Sequence, residues 1–260
     1  MILNKIAEKT RERVENLKKT RPFAEIKTLA ESLPKNNAFA FEKAISVPGL
    51  SFICEVKKAS PSKGIIAEDF PYIDIAQEYE EAGAAAISVL TEPDFFLGSA
   101  LHLTEISKAV TLPLLRKDFT IDPYQIYEAK TIGASAVLLI CALLDTKTLA
   151  EYIEIADSLG LSAITETHDE NEIKSALDAK AKIIGVNNRD LRTFEVALET
   201  SVKLRKLVPD NVLFVSESGI RTREDILRLS GVNAVLIGET LMRSKDKKSE
   251  IEKLSSAFEN

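Results

Sequence analysis

The segment LLRKDFTIDPYQIYEAKTIGASAVLLI, residues 114–140, contains one complete strand–helix–strand unit. Its first apolar run ends at Lys117, and a polar turn then leads to Asp122 and Pro123, a pair that is typical of a helix start. The final run, AVLLI at 136–140, is apolar at every position, as expected of a parallel strand that is covered on both faces. This segment therefore predicts an α/β protein with a parallel sheet.

The same pattern repeats along most of the chain. Further helix starts are indicated by Thr167 with Asp169 and by Thr222. Amphipathic segments follow short apolar runs that begin near residues 52, 85, 112, 135, 162, 182, 212 and 233. Eight such units are typical of a (β/α)8 TIM barrel, a fold that commonly uses about 250 residues. The chain has 260 residues, so one barrel accounts for its length.

The segment before the first apolar run has a different character. Residues 1–48 are rich in charge, and Ile6, Val14 and Leu17 recur there at near-helical spacing, so we expect a helical extension. No long linker or change of composition interrupts the later repeats, and residues 1–260 are therefore expected to form a single domain. An open doubly wound sheet is the alternative, but the G-x-G-x-x-G turn that such sheets use for nucleotides does not occur.

Composition limits the function classes that need to be considered. The formal net charge is −6, from 34 Lys and Arg against 40 Asp and Glu, which gives no general attraction to nucleic acid or anionic membranes. The amino-terminal segment also lacks the apolar core of a secretory signal, so we expect a cytoplasmic protein without nucleic-acid or membrane partners. With 2 His and 2 widely separated Cys, we expect no metal site and two buried, reduced thiols.

Polar residues gather at the carboxyl ends of the predicted strands, where the active sites of TIM barrels lie. No G-x-S-x-G motif occurs and neither His has an evident Ser or Cys partner, so the sequence gives no sign of a nucleophile with its base. The candidates for acid–base catalysis are therefore Lys and Glu side chains. We assign it to Lys117, whose pKa we expect burial to lower, and to Glu166 as the complementary base. The polar residues at the strand ends are Glu55, Lys57, Lys117, Glu166, Asn187, Arg189, Glu217 and Ser218.

The last two predicted strands end in SESGI at 216–220 and LIGET at 236–240. Each motif places a glycine and small hydroxyl residues where a strand turns into a short helix, so that backbone N–H groups can approach an anion. TIM barrels frequently hold a phosphate group at the loops after strands 7 and 8. We therefore predict a phosphate monoester substrate near Gly219 and Gly238, although two tight turns would also require glycine.

The chain resembles the indole-3-glycerol phosphate synthase family in strings that extend from the first strand to the last. These strings are EVKKASPSKG at 55–64, FFLGS at 95–99, LRKDFTIDPYQIYEAKTIGASAVLLI at 115–140, ITETHDENEI at 164–173, IGVNNRDLRTFEV at 184–196, SESGI at 216–220 and LIGETLMR at 236–243. The resemblance implies a carboxy-lyase of tryptophan biosynthesis that uses no cofactor. Its reaction closes the pyrrole ring of 1-(2-carboxyphenylamino)-1-deoxyribulose 5-phosphate, with loss of carbon dioxide and water.

The resemblance also implies roles for single residues. Lys117 matches the general acid that protonates the ketone oxygen of the substrate, and Glu166 matches the carboxylate that transfers protons during dehydration. By the same resemblance, the other polar residues of the catalytic site are Glu55, Lys57, Asn187, Glu217 and Ser218. Lys57 is suited to an anionic group of the substrate, and Ser218, Gly219 and Gly238 match positions that hold its phosphate.

Several further residues are expected to contact the substrate. Ser60 lies in the loop after the first strand, and Arg189 is expected either to hold loop geometry or to reach the substrate. Glu239 stands where some relatives have a small residue, so its backbone N–H rather than its side chain is expected to meet the phosphate. Candidates for the apolar wall around the anthranilate ring, or for ordinary core packing, are Phe96, Phe119 and Leu191.

Two other functions stay open on the sequence. Another phosphate-binding barrel enzyme, such as phosphoribosylanthranilate isomerase, would share the last two loops but not the set Glu55, Lys57, Lys117 and Glu166. A catalytically silent sensor or scaffold would bind the phosphorylated compound without converting it. We expect a monomer with a phosphorylated small-molecule substrate, and the sequence gives no indication of contact with other enzymes of the pathway.

Overall fold

The computed structural model describes residues 2–35, 38–190 and 192–256. Three helices precede the first strand: α1 (Ile2–Thr20), α2 (Phe23–Ser32) and α3 (Ala40–Ile45). Within α1, Ile6 and Val14 are buried, as the spacing predicted, whereas Leu17 is only partly buried. The prediction of a helical extension is thus confirmed over the described part of residues 1–48.

Eight parallel strands close into a barrel, in chain order, with the last strand paired to the first. The strands are β1 (Ser51–Val56), β4 (Ala86–Leu90), β5 (Leu114–Lys117), β6 (Ala136–Ile140), β7 (Ser162–Thr167), β8 (Ile183–Asn187), β9 (Leu213–Glu217) and β10 (Ala234–Ile237). A short antiparallel hairpin, β2 (Ala59–Ser60) with β3 (Gly64–Ile65), occupies the loop after β1. The TIM-barrel prediction is confirmed, and closure of the sheet excludes the open doubly wound alternative.

Helices separate the barrel strands and cover them from outside. They are α4 (Tyr72–Glu81), α5 (Ala100–Ala109), α6 (Pro123–Thr131), α7 (Thr146–Ser158), α8 (Glu170–Asp178), α9 (Glu199–Leu204), α10 (Arg223–Leu227), α11 (Glu239–Arg243) and α12 (Lys247–Ser255). Asp122 caps α6, Asp169 caps α8 and Thr222 forms a capping box on α10. Thr167 is no helix signal, because it lies in β7 and its hydroxyl donates to the Gly185 carbonyl.

The interior of the barrel is a packed apolar layer and not a pore. Ile53, Leu115 and Ile164 are fully buried there together with inward residues of the other strands. Side chains two residues apart on a strand point to the same face, so Glu55, Lys117 and Glu166 stand directly above these three apolar residues. The charged residues thus rest on an apolar floor at the carboxyl end of the barrel.

None of the helices in the described ranges is both long enough and apolar enough to cross a membrane. The extension is instead fixed to the barrel. Helix α2 packs against α6, and the Arg13 guanidinium on α1 donates to Asp118 Oδ1 at 2.7 Å, directly beyond the end of β5. The extension therefore reaches the same end of the barrel as the charged residues.

Candidate active site

A cavity of about 380 Å³ opens at the carboxyl ends of the barrel strands. Every predicted site residue that the structure describes lines this cavity, whereas Leu191 lies outside the described residues. The structure thus brings together the following side chains and glycines: Glu55, Lys57, Ser60, Phe96, Lys117, Phe119, Glu166, Asn187, Arg189, Glu217, Ser218, Gly219, Gly238 and Glu239. They belong to strand ends and loops from segments far apart in the sequence, and closure of the barrel makes these segments neighbours.

Lys117 is the centre of the charged group in the cavity. Its ammonium Nζ donates to Glu217 Oε2 at 2.5 Å and to Glu166 Oε2 at 3.2 Å. The three side chains are almost inaccessible to solvent, at 13% for Lys117, 4% for Glu166 and 2% for Glu217. One cation therefore neutralises part of the charge of two buried carboxylates, and the cavity keeps its Nζ within reach of a ligand.

The expectation of a lowered pKa for Lys117 is wrong, because the net shift is upward. Burial does disfavour the charged ammonium, but the negative charges of Glu217, Glu166 and Glu55 outweigh that effect and raise the pKa above its ordinary value. These three carboxylates come from three other strands, so their approach to Lys117 is visible only in the folded barrel. Lys117 is therefore a fixed positive charge at neutral pH.

The two carboxylates that share Lys117 have pKa values that move in opposite directions. Burial raises the pKa of Glu217, and the neighbouring charge of Glu166 raises it further. Burial also acts on Glu166, but there Lys117 and His168 prevail and lower the pKa. Different environments thus leave Glu166 ionised and make Glu217 the easier of the two to protonate, a division that suits one base and one acid.

Two glycines make room for the carboxylates. A Cβ at Gly185, in the middle of β8, would overlap the Glu217 carboxylate, and a Cβ at Gly238 would overlap the carboxylate of Glu55. Lys57 Nζ donates to that same Glu55 carboxylate, so Gly238, Glu55 and Lys57 form one contact group. The sequence analysis missed Gly185, although a glycine inside a strand is a known signal of close approach by another group.

The loop after β9 has a backbone shape that suits an anion, whereas Gly238 after β10 has a negative φ of −113°. Ser218 and Gly219 both adopt left-handed φ values, 68° and 88°, a conformation that is costly for a serine. Such turns form concave backbone surfaces that suit anions. Glu239 pairs with Arg243 at 3.1 Å and Lys63 at 3.6 Å, so neighbouring cations compensate its negative charge.

Aromatic rings and the extension form the apolar side of the cavity. Phe96 and Phe119 lie with ring centroids 6.0 Å apart, and both are half-buried. Ile2, Leu3 and Ile6 of α1 complete this side, a contribution that the sequence analysis missed. Helical spacing predicts an amphipathic helix but not the surface against which that helix packs.

Asn187, the last residue of β8, and Arg189, two residues beyond it, form part of the cavity rim. The Arg189 backbone N–H donates to Asn187 Oδ1 at 3.0 Å, and the Arg189 guanidinium donates to the Phe194 carbonyl at 3.2 Å. Of the two roles expected for Arg189, the one visible in these contacts is to hold loop geometry. In the described ranges, no group of three or more His, Cys, Asp and Glu side chains is arranged to hold a metal ion.

The family model and the curated relatives that match the sequence name one family. A sequence model of the indole-3-glycerol phosphate synthase family matches residues 3–254. The chain is 64% identical to the indole-3-glycerol phosphate synthase of Ruminiclostridium cellulolyticum, over 98% of each chain. It is 58% identical to the enzyme of that name from Endomicrobium trichonymphae, over 94% of this chain and 95% of the relative.

A solved structure that is similar in fold is 3-hexulose-6-phosphate synthase from Salmonella typhimurium, with a TM-score of 0.65 and 15% identity. The alignment covers 80% of the present chain and 98% of that structure. At this level of identity the likeness concerns the barrel fold alone.

Proposed function

The chain belongs to the indole-3-glycerol phosphate synthase family, and we propose that Lys117, Glu166 and Glu217 carry out the acid–base steps of that family's reaction. The reaction is the decarboxylating, dehydrating ring closure of 1-(2-carboxyphenylamino)-1-deoxyribulose 5-phosphate to indole-3-glycerol phosphate. The observation that carries the proposal is the contact of one lysine with two carboxylates of opposite pKa shift inside the cavity.

Lys117 is placed to act on the ketone of the substrate. Ring closure develops negative charge on the ketone oxygen, and a preorganised ammonium group at the cavity wall stabilises that charge. Because its pKa is raised, Lys117 enters the reaction fully charged and gives its proton only to the strongly basic developing oxyanion. The raised pKa of Lys117 thus favours electrostatic stabilisation over easy loss of its proton.

Glu166 is proposed as the base of the dehydration. Its pKa is lowered, so the carboxylate is ionised and able to accept a proton from the substrate at neutral pH. Glu217 balances the charge of Lys117 and is the carboxyl group that protonates more readily when Lys117 becomes neutral. Asn187, Glu55 and Ser218 are proposed to orient the substrate from the same cavity wall.

The two ends of the substrate are proposed to bind on different sides of the cavity. The phosphate group binds at the backbone of Ser218, Gly219, Gly238 and Glu239, with Lys57 as the nearby cation. The anthranilate ring lies against Phe96 and Phe119, and Ser60 and Arg189 stand at the rim. This placement leaves the ketone carbon next to Lys117.

The remaining proposals concern the protein as a whole. We propose a monomer of one domain, because the extension and the barrel strands of one chain supply the cavity walls. We also propose a cytoplasmic location, since both cysteines are free and a phosphorylated metabolite is the substrate. The isomerase alternative is not favoured, because the matched family and the curated relatives bear the name of the synthase.

The test is incubation of the purified protein with 1-(2-carboxyphenylamino)-1-deoxyribulose 5-phosphate while indole fluorescence is recorded. We expect fluorescence to rise, and Glu166→Gln to lower kcat by about 10²–10⁴ while KM changes much less. Binding without fluorescence would indicate a sensor, and turnover of phosphoribosylanthranilate instead would indicate the isomerase. A Glu166→Gln defect confined to KM would contradict the assigned role of Glu166.

A further inference from the structure

His168 stands next to the proposed base and has no part in the chemistry described so far. It is the first residue after β7, and its Nε2 lies 3.5 Å from Glu166 Oε1. Its Nδ1 lies 3.0 Å from Glu172 Oε2, and its backbone N–H donates to that same oxygen at 2.7 Å. The Glu172 carboxylate therefore holds both the backbone and the ring of His168.

These contacts determine which ring nitrogen carries the proton. An ionised Glu172 only accepts hydrogen bonds, so Nδ1 of His168 must be the donor. In a neutral ring, Nε2 would then present a lone pair to the Glu166 oxygen, and two acceptors would face each other. Nε2 is buried and has no hydrogen-bond partner among the described residues, so protonation of this nitrogen is the state that satisfies both carboxylates.

Carboxylates face His168 from several elements. They are Glu166 on β7, Glu172 on α8 and Glu217 on β9, and Asp169 is the next residue in the chain. Burial disfavours the imidazolium, but the hydrogen bond to Glu172 and the charges of Glu166, Glu172 and Glu217 raise the pKa of His168. Cys141 also lies near Glu172 and is neutral, because burial raises the pKa of its thiol to about 12.

The two oxygens of Glu166 thus face different cations. Lys117 Nζ contacts Oε2 at 3.2 Å, and His168 Nε2 faces Oε1 at 3.5 Å. We propose that His168 is a positioning residue for Glu166: held by Glu172, its imidazolium orients the Glu166 carboxylate and keeps it ionised when Lys117 gives up its proton. This inference rests on the proposed role of Glu166 as base.

The first test is direct and needs no change at His168. The chain has 2 His, so an NMR titration shows the imidazole C–H resonances of two rings. The resonances that disappear in His102→Asn belong to His102, and those that remain report on His168. His102 is a matched control, since it packs on Phe70 and Tyr72 and Glu166 is not among the charges that act on it. We expect His168 to titrate above about 6.5, and its midpoint to fall by about one unit in Glu166→Gln. A midpoint that Glu166→Gln leaves unchanged would overturn the proposal.

The second test measures kcat against pH. Because the protonated His168 ring is the form that positions Glu166, kcat should fall as pH rises through the His168 midpoint. The control variant His102→Asn should show the same fall. His168→Asn retains an amide donor for Glu172 but has no group at Nε2, so we expect kcat to fall about tenfold, KM to stay within about twofold and this pH step to disappear. His168→Gln supplies a neutral donor towards Glu166 and should recover part of kcat without the pH step.

A wild-type pH profile in both His168 variants, or a defect in KM alone, would reduce His168 to a structural role and overturn the inference. Failure of the proposed function has a different signature. In that case Glu166→Gln would retain kcat, while the NMR midpoint would still report whether His168 and Glu166 interact.

Discussion

Arg116 and Lys117 are adjacent on β5 and point to opposite faces of the strand. Arg116 lies between the barrel and its helices, where it contacts Glu128 at 2.6 Å and Asp118 at 3.4 Å and donates to the Gln125 carbonyl at 2.9 Å. Lys117 points into the barrel mouth and contacts Glu217 and Glu166. Both cations are buried, and carboxylates raise the pKa of both.

The difference between them is access to a cavity. The guanidinium of Arg116 is surrounded by protein groups, and Asp118 links it to Arg13 of the extension. The Lys117 group borders a cavity of about 380 Å³, and Glu217 Oε1 has no hydrogen-bond partner among the described residues. Burial and a shifted pKa are therefore common to both cations, and what distinguishes Lys117 is that a ligand in the cavity can reach it.

The largest effect is expected for Lys117→Met. Removal of the cation should lower kcat by at least about 10³, equivalent to about 4 kcal/mol of transition-state stabilisation, while the barrel stays folded. Indole fluorescence gives kcat, and far-UV circular dichroism gives the fold. Substantial retained turnover would place the reactive cation elsewhere.

Arg116→Met should have the opposite profile. Breaking a buried pair by removing one partner leaves Glu128 and Asp118 poorly compensated, so the free energy of unfolding should fall by about 3 kcal/mol. Urea unfolding gives this value, and kcat of the folded fraction should fall far less than in Lys117→Met. If the two variants instead lost activity and stability in equal measure, the comparison between the two faces of β5 would not hold.

A smaller effect is expected for Arg13→Met, which releases the extension from Asp118. Burial opposes ionisation of Asp118, but Arg13 and Arg116 prevail and lower its pKa below the unfolded value of about 3.9. A lowered folded-state pKa stabilises the protein above the unfolded value, and this contribution disappears as pH falls through the folded value. The variant should lose about 1 kcal/mol at pH 7. Its difference from the wild type should begin to shrink as pH falls below about 4 and should vanish below the folded-state pKa of Asp118.

This prediction is checked by urea unfolding at several pH values. A difference between Arg13→Met and the wild type that stays constant down to pH 3 would show that Arg13 acts through packing rather than through the charge of Asp118.

The barrel could be predicted from the sequence because its signals are local. Each apolar run, such as AVLLI at 136–140, and each cap, such as Asp122, acts within a few residues, and the predicted strand starts lie within two residues of the observed ones. The site residues could be located because carboxyl ends of parallel strands share one edge. The role of each residue could not, since pKa depends on neighbours from other strands.

The sequence by itself determined the eight β/α units and the helical extension. It also determined that Lys117, Glu166, Gly219 and Gly238 lie at the carboxyl end of the barrel. Only the tertiary structure decided that Lys117 has a raised pKa, that Gly185 makes room for Glu217 and that α1 covers the cavity. The physical reason is the distance along the chain over which each kind of interaction acts. Backbone and packing preferences act along a segment, whereas charge and close approach act through space between segments far apart in the chain.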